Sequence, residues 1–288
     1  MTVAILVLGY REPSVLAAVV PVYRKAGFDI YVHLDAKASV VDYALAMGDQ
    51  AQYCRFIQPR TPVFWAGFTM TQATMQLLET ALGAKDYTNL ALVSDDTLPI
   101  VPIARLRTAL TTRVERIAIR LLQAGDVFLR RYQEFFYLDH AATSLLGRPI
   151  ETACIDQAFI ETFARLLARR RAGKVDLPLY YGSQWWCLTG DAARRVLSLH
   201  ADRTDLRESF EFSAVPDEMY IQTLVANFAQ ANGIVQGPVY VDWTQTPKPF
   251  VFSRIEQFSN AVSPDHLFVR KVSSQTPDFI KEAIRRIQ

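Results

Sequence analysis

Cysteine is scarce in this chain, with three residues in 288: Cys54, Cys154 and Cys187. They are odd in number and far apart, so they form neither a disulfide framework nor the close pairs typical of zinc sites and redox dithiols. We therefore expect buried free thiols in a reducing compartment.

Net charge is also nearly absent, since 31 Lys and Arg stand against 29 Asp and Glu, a formal charge of +2. This balance offers no overall positive field to hold a polyanion, so nucleic acid is a poor default partner. Half of the residues are hydrophobic. Such a content supplies one large core and excludes a disordered chain.

Long apolar runs are lacking too. No segment approaches the roughly 20 apolar residues that a membrane-spanning helix needs. The apolar start, residues 3–8, is too short for the core of a signal peptide and has neither a basic start nor a small-residue cleavage site. These features predict a cytoplasmic protein that contacts the inner membrane at most peripherally.

Buried strands alternate with amphipathic helices over the first hundred residues. The aliphatic run of residues 3–8 is typical of a strand buried on both faces of a parallel sheet. A helix over 14–26, strands over 30–34 and near Phe56, a helix that Thr69 can cap, and a strand over 89–94 are predicted to follow. Asp95 and Asp96 come directly after that last strand, at the edge where open α/β sheets bind ligands.

Beyond Pro102 the pattern changes to mixed strands and helices, with a helix predicted over 155–168 and ended by the basic residues 169–171. No repeat, low-complexity tract or linker separates independent parts. We predict one α/β domain over 1–288. Residues up to about 102 would form a Rossmann-like nucleotide-binding half, and the remainder a mixed-sheet acceptor-binding and catalytic half.

Two adjacent tryptophans end the segment Gly182-Ser183-Gln184-Trp185-Trp186. If the segment is a strand, adjacent side chains point to opposite faces, so one indole enters the core and the other faces a cleft. An exposed indole can stack on a sugar ring and donate its N–H to a hydroxyl. The alternative is that both indoles belong to the core.

An acidic pair, Asp217 and Glu218, follows Pro216 and precedes a run of helical period. Proline and acidic residues are ordinary in a first helical turn, so capping alone would explain them. The helix dipole there favours an ionised carboxylate. Such a group can serve as the general base of an inverting sugar transfer, in which the acceptor hydroxyl loses its proton as it attacks the anomeric carbon.

Four cations lie in the C-terminal part of the chain: Lys248, Arg254, Arg270 and Lys271. Fixed cations beside a departing diphosphate can do the electrostatic work that a divalent metal does elsewhere. For each of them, simple surface solvation is the alternative.

Seven segments carry a family resemblance, in order along the chain: 31–37, 64–68, 94–100, 182–186, 216–218, 241–243 and 267–271. Together they resemble the Core-2/I-branching enzyme family, which contains branching N-acetylglucosaminyltransferases and peptide O-xylosyltransferases. The resemblance implies a glycosyltransferase A-type fold, inversion, and catalysis without a metal or other cofactor.

The resemblance also implies roles for individual residues. Glu218 would be the base and Lys271 the main diphosphate cation, with either Lys248 or Arg254 as the second. Arg270 is a further candidate from the cationic segment itself. The implied nucleotide-binding residues are Gly9, Tyr10, Asp35 and Trp65. From the resemblance and the segments described above together, the predicted sugar-binding residues are Asp95, Asp96, Gly182, Ser183, Gln184, Trp185, Trp186, Trp243 and Arg131.

Departures from the family pattern keep alternatives open. Tyr10 stands where many relatives have His, and Thr97 stands where relatives have Asp, with the acids moved to Asp95 and Asp96. These two acids form either a donor-sugar contact or a local metal site. Residues 130–136 form either part of an acceptor groove or an amphipathic strand edge.

The sequence thus predicts a transferase that moves a sugar from a UDP-sugar to a glycan or glycolipid hydroxyl and forms a β-linkage. N-acetylglucosamine is the first expected sugar and xylose the second. The alternatives are a metal-dependent transferase that uses Asp95 and Asp96, and a non-catalytic carbohydrate-binding protein.

Overall fold

The computed structural model describes residues 2–139, 157–228, 233–246, 248–259 and 262–288. The first part of the chain alternates strands and helices. Its elements are β1 (Val3–Gly9), α1 (Pro13–Lys25), β2 (Asp29–Leu34), α2 (Val40–Met47), a 3-10 helix (Gly48–Tyr53), β3 (Cys54–Phe56), α3 (Thr69–Ala84), β4 (Asn89–Ser94) and β5 (Leu98–Pro99).

The second part has shorter strands. Its elements are α4 (Ile103–Thr111), β6 (Glu115–Arg116), β7 (Arg120–Leu121), α5 (Val127–Gln133), α6 (Gln157–Ala172), β8 (Tyr180–Tyr181), β9 (Cys187–Thr189), α7 (Gly190–Asp202), α8 (Thr204–Phe210), a 3-10 turn (Pro216–Glu218), α9 (Tyr220–Phe228), β10 (Ile234–Val235), β11 (Val239–Val241), α10 (Glu256–Ser259), β12 (Phe268–Arg270) and α11 (Pro277–Ile287).

A seven-stranded sheet lies at the centre, in the order β10-β6-β9-β4-β1-β2-β3. Strand β9 is antiparallel to both of its neighbours, and the other pairings are parallel. Every residue of β1 and β4 is buried. This burial agrees with the aliphatic runs that predicted these strands.

A smaller sheet of order β11-β12-β5 lies beside the central one. Strand β12 is antiparallel to β5, with Phe268 opposite Pro99. The end of β12 therefore lies next to the start of β5, and Val272 N donates to the Asp96 carbonyl at 2.9 Å. This pairing joins the C-terminal segment of the chain to the end of β4.

Three expectations about local structure need correction. Thr69 does not cap α3: the Asp139 carboxylate accepts the Phe68 and Thr69 backbone N–H groups instead. The helix predicted over 155–168 spans Gln157–Ala172, so residues 169–171 form its last turn, and residues 155 and 156 lie outside the described chain. Residues 130–133 belong to α5 and not to a strand.

Cys54 and Cys187 are free thiols, and burial raises the pKa of each to about 12. Cys154 lies outside the described residues. Within the described part of the chain, no helix is both long and apolar enough to cross a membrane.

Candidate active site

The central sheet brings loops that are distant in sequence together at one edge, formed by the carboxyl ends of its parallel strands. Leu8 pairs with Ser94 and Gly9 with Leu34, so the residues that follow β1, β2 and β4 lie side by side. Because β9 runs the opposite way, the residues that precede it reach this edge too, and Leu92 N donates to the Trp186 carbonyl. Strand β6 is antiparallel to β9, so residues 117–120, which follow β6, also lie here.

Asp95 organises the loop after β1. Its Oδ2 accepts the backbone N–H groups of Tyr10, Arg11 and Glu12, each at 2.8 Å, and the Tyr43 hydroxyl. Burial raises the pKa of Asp95. This oxygen, which the sequence assigned to the donor sugar, is thus already bonded within the protein.

Gly9 is packed tightly in the same loop, since a Cβ there would lie 3.1 Å from the Tyr43 hydroxyl oxygen. Tyr10 itself is exposed.

Asp96 forms a buried ion pair with Arg270. The guanidinium donates Nε–H and Nη2–H to the two carboxylate oxygens, each at 3.0 Å, and Ser94 donates its hydroxyl as well. Burial alone would raise the pKa of Asp96, but the Arg270 charge and its hydrogen bonds prevail and lower it. The same guanidinium lies 4.6 Å from the centre of the Trp185 ring.

Lys271 follows β12 and is half-buried. Burial lowers its pKa, and the positive charges of Arg270 and Arg11 lower it further, while Asp96 and Asp95 oppose them. Three cations therefore share one edge of the sheet with two acids. Arg11 was not singled out from the sequence, because nothing in its own segment shows that it lies near Lys271.

Lys248 and Arg254 are both exposed, on the segment beside Lys271. Lys271 N donates to the Phe250 carbonyl and Phe252 N donates to the Lys271 carbonyl. Lys248 is thus two residues before Phe250, and Arg254 is two residues after Phe252. Neither cation is placed closer to Lys271 than the other by this pairing.

Glu218 ends the 3-10 turn, and its side chain is 23% exposed. Burial raises its pKa, whereas a hydrogen bond from Tyr181 and the charge of Arg131 lower it. The Arg131 Nη1 lies 4.0 Å from a Glu218 oxygen. The expectation that the helix start favours ionisation of Glu218 was wrong in its net effect, since burial outweighs it.

Asp217 links Glu218 to the cations. Burial raises its pKa to about 7, the neighbouring Glu218 raises it too, and the charges of Arg131 and Arg270 lower it. The charge of Arg270 therefore acts on Asp217 as well as on Asp96, with which it pairs.

The two adjacent tryptophans are both buried, with 5% of Trp185 and none of Trp186 exposed. Of the two alternatives left open by the sequence, the one that places both indoles in the core is confirmed. The pair precedes β9 and does not follow the alternation of a strand. The exposed indoles are Trp65 (62%) and Trp243 (55%). In the same segment, Gln184 Nε2 is buried and has no hydrogen-bond partner in the described part of the chain.

The loop that carries Trp65 supports the turn that carries Glu218. The Ala66 carbonyl accepts Val215 N at 2.8 Å. At Gly67 a Cβ would lie 2.0 Å from an Asp139 oxygen, so this glycine lets the Asp139 carboxylate reach α3. Asp139 was missed in the sequence, because its role depends on residues about 70 positions away.

Asp35 is buried at the end of β2. Its carboxylate pairs with Lys37 at 2.8 Å and accepts Val63 N at 3.3 Å. Its backbone N donates to the Gly9 carbonyl at 2.9 Å. Two predicted nucleotide-binding residues, Gly9 and Asp35, are therefore in direct contact.

A cavity of about 500 Å³ is lined in part by Tyr181 and Gly182, two residues that contact Glu218. The Gly182 N–H donates to the Glu218 carbonyl at 2.9 Å, and a Cβ on Gly182 would lie 1.7 Å from the Ala118 oxygen. Glycine is therefore required where these two backbones meet. The cavity is lined by Ile117, Ala118, Ile119, Arg120, Tyr181, Gly182, Ser183, Ile234, Val235 and Gln236.

Among the described residues, no group of three or more His, Cys, Asp or Glu side chains is placed to hold a metal ion. Asp95 and Asp96 are adjacent, but one is bonded to the loop after β1 and the other to Arg270.

The sequence profile of one family, described as Core-2/I-branching enzyme, matches residues 8–266. The chain belongs to the Core-2/I-branching enzyme family. The resemblance is thereby confirmed for the six segments that lie within residues 8–266, whereas segment 267–271, which carries Arg270 and Lys271, lies beyond the match. The parallel-rich central sheet agrees with the predicted glycosyltransferase A-type α/β fold. As a member of this family the chain is a glycosyltransferase, with a nucleotide-sugar donor and a carbohydrate acceptor.

A comparison with solved structures found two distant matches to this Core-2/I-branching enzyme. The apo-form glycosyltransferase GlyE of Streptococcus pneumoniae TIGR4 is 10% identical with a TM-score of 0.37, over 99% of this chain and 60% of that one. HddC of Yersinia pseudotuberculosis, complexed with GMP-PN, is 14% identical with a TM-score of 0.32, over 67% of this chain and 79% of that one. A search of curated protein sequences gave no match.

Proposed function

We propose that this enzyme transfers one sugar from a UDP-sugar to a hydroxyl of a glycan or glycolipid, inverts the anomeric carbon to form a β-linkage, and needs no divalent metal. N-acetylglucosamine is the first donor sugar we propose and xylose the second. The observation that carries the proposal is the position of Glu218. Its carboxylate bonds to Tyr181 and its carbonyl to Gly182, and both partners line the cavity.

Glu218 has the properties of a general base. Burial raises its pKa, so the carboxylate binds a proton more strongly than an exposed glutamate does. The Tyr181 hydrogen bond and the Arg131 charge oppose this rise in pKa. In the proposed step, Glu218 takes the proton of the acceptor hydroxyl while that oxygen attacks the anomeric carbon from the side opposite the leaving UDP.

Lys271 and its neighbours suit the departing diphosphate. Burial lowers the pKa of Lys271 and the positive charges of Arg270 and Arg11 lower it further, while Asp96 pairs with Arg270. A diphosphate that enters beside Lys271 would relieve this repulsion. The stabilisation grows as negative charge develops on the leaving group, and such differential binding lowers the barrier.

The bonding of Asp95 and Asp96 supports catalysis without a metal. A cation at these acids would compete with three backbone N–H groups at Asp95 and with the Arg270 guanidinium at Asp96. We expect sugar transfer to be unchanged by excess chelator. Loss of transfer that added Mg²⁺ or Mn²⁺ restores would favour a metal-dependent transferase instead.

Glu218→Gln tests the assignment of the base. We expect turnover to fall about 10²-fold or more while donor affinity stays close to the original value. Asp278→Asn, at a side chain that is 99% exposed on α11, is the matched control. Wild-type turnover in Glu218→Gln would refute the assignment of Glu218 as the base. An α-linked product, identified by NMR, would refute the proposal that the enzyme inverts the anomeric carbon.

A further inference from the structure

The cavity beside Glu218 has walls of two kinds. Five of its lining residues are aliphatic: Ile117, Ala118, Ile119, Ile234 and Val235. The polar side chains in its lining already have partners within the protein. Arg120 pairs with Asp126, Tyr181 bonds to Glu218, Ser183 Oγ accepts Trp185 N, and Gln236 bonds to His266.

The two ends of the cavity lie against different parts of the protein. Tyr181 and Gly182 are bonded to Glu218. Ile234 and Val235 form β10, the outermost strand on that side of the sheet. Ile117 N donates to the Val235 carbonyl at 3.1 Å, which continues the wall from one strand to the next. The cavity therefore extends from residues that contact Glu218 to an aliphatic surface at β10, where Ile234 is 45% exposed.

We infer that this aliphatic part of the cavity binds an alkyl or lipid aglycone of the acceptor, while the acceptor sugar lies beside Glu218. The inference rests on the proposed function, because the role of Glu218 fixes where the acceptor hydroxyl must be. The size of the cavity suits such a ligand, since binding sites for small molecules commonly measure about 300–1,000 Å³ and are mostly apolar.

The size of the expected effect follows from the free energy of burying methylene groups. Each methylene buried from water contributes about 0.8 kcal/mol, which strengthens binding about fourfold. An acceptor with a chain of several buried methylenes should therefore bind at least about tenfold more tightly than its methyl analogue. A site built only for further sugar residues would show no such dependence.

Calorimetry with octyl and methyl β-glycosides of glucose and N-acetylglucosamine, below their micelle concentrations, tests the inference on the full chain. We expect the octyl glycosides to bind at least about tenfold more tightly. Ile234→Ser and Ile119→Ser should reduce that advantage at least about threefold and leave the methyl glycosides unaffected. Leu45→Ser, at a 77% exposed side chain of α2, is the control, and circular dichroism verifies folding.

Equal affinity for octyl and methyl glycosides would overturn the inference. So would a loss in Leu45→Ser as large as in the cavity variants, or an octyl advantage that those variants leave intact. The proposed function is tested separately, by measuring sugar transfer. Cavity-dependent octyl binding without transfer to any acceptor would refute only the catalytic proposal, and transfer without a chain-length effect would refute only the aglycone site.

Discussion

Arg270 donates two hydrogen bonds of 3.0 Å to Asp96, across 174 residues of sequence. The side chains are 15% and 6% exposed, so neither charge is well hydrated. This ion pair links the end of β12, and therefore the adjacent Lys271, to the end of β4.

Asp96→Asn should destabilise the protein by about 3–5 kcal/mol, because it leaves the Arg270 charge buried without a counterion. The matched control is Asp29→Asn, which breaks the exposed pair with Lys85 and should cost about 1 kcal/mol or less. Urea unfolding of the two variants measures the difference. Similar losses in both would show that the Asp96 pair contributes no more than a surface pair.

Tyr181→Phe should shift the pH dependence of activity. The Tyr181 hydrogen bond lowers the pKa of Glu218, so its removal raises that pKa. Activity requires the ionised base and falls as pH falls through the pKa, so the acid limb of kcat/KM should move to higher pH. Tyr180→Phe, at the neighbouring tyrosine, is the control. An acid limb that stays in place, or moves to lower pH, would contradict the role of Tyr181.

Lys271→Ala should weaken UDP binding about 10- to 100-fold and lower turnover as well, because a hydrogen bond to a charged group contributes about 1.5–3 kcal/mol. Lys281→Ala, at a side chain that is 78% exposed on α11, is the control. The UDP affinities of Lys248→Ala and Arg254→Ala, measured in the same titration, show which of these two residues helps Lys271 to bind the diphosphate. Unchanged UDP affinity in Lys271→Ala would place the diphosphate elsewhere.

Gly182→Ala should impair both stability and activity, since its Cβ would lie 1.7 Å from the Ala118 oxygen and backbone must move. That movement would disturb the bond from Gly182 to Glu218. Gly83→Ala in α3 meets no atom within 4 Å and should be neutral or stabilising by up to about 1 kcal/mol. Thermal unfolding and turnover together measure both effects. Two equally active variants would contradict the close approach at Gly182.

The central strands and the first helix could be predicted from the sequence because their signals are local. The aliphatic run of β1 is buried throughout, and the helix predicted over 14–26 is observed as α1, with Val15, Val19 and Val22 in the core. Strand β4 was predicted at its observed bounds, residues 89–94. The edge that gathers the candidate site follows from these strands by the geometry of a parallel sheet.

The contacts within the site could not be predicted in the same way. Asp95 and Asp96 carry the same side chain in adjacent positions, yet one binds the loop after β1 and the other binds Arg270. The Arg270 guanidinium also lies 4.6 Å from the centre of the Trp185 ring, although the two residues are far apart in sequence. The local sequence pattern does not identify such partners, because residues that are distant in sequence come together only when the sheet has formed.

The separation between Asp96 and Arg270 also has a consequence for biosynthesis. The first strands and their helices can begin to fold while the ribosome still holds the later residues, but the proposed catalytic cation arrives only with β12. Ser274 N then donates to Glu12, 262 positions upstream. Closing such long loops is slow, so a nascent chain should acquire its nucleotide-sugar chemistry late, after most of its core has formed.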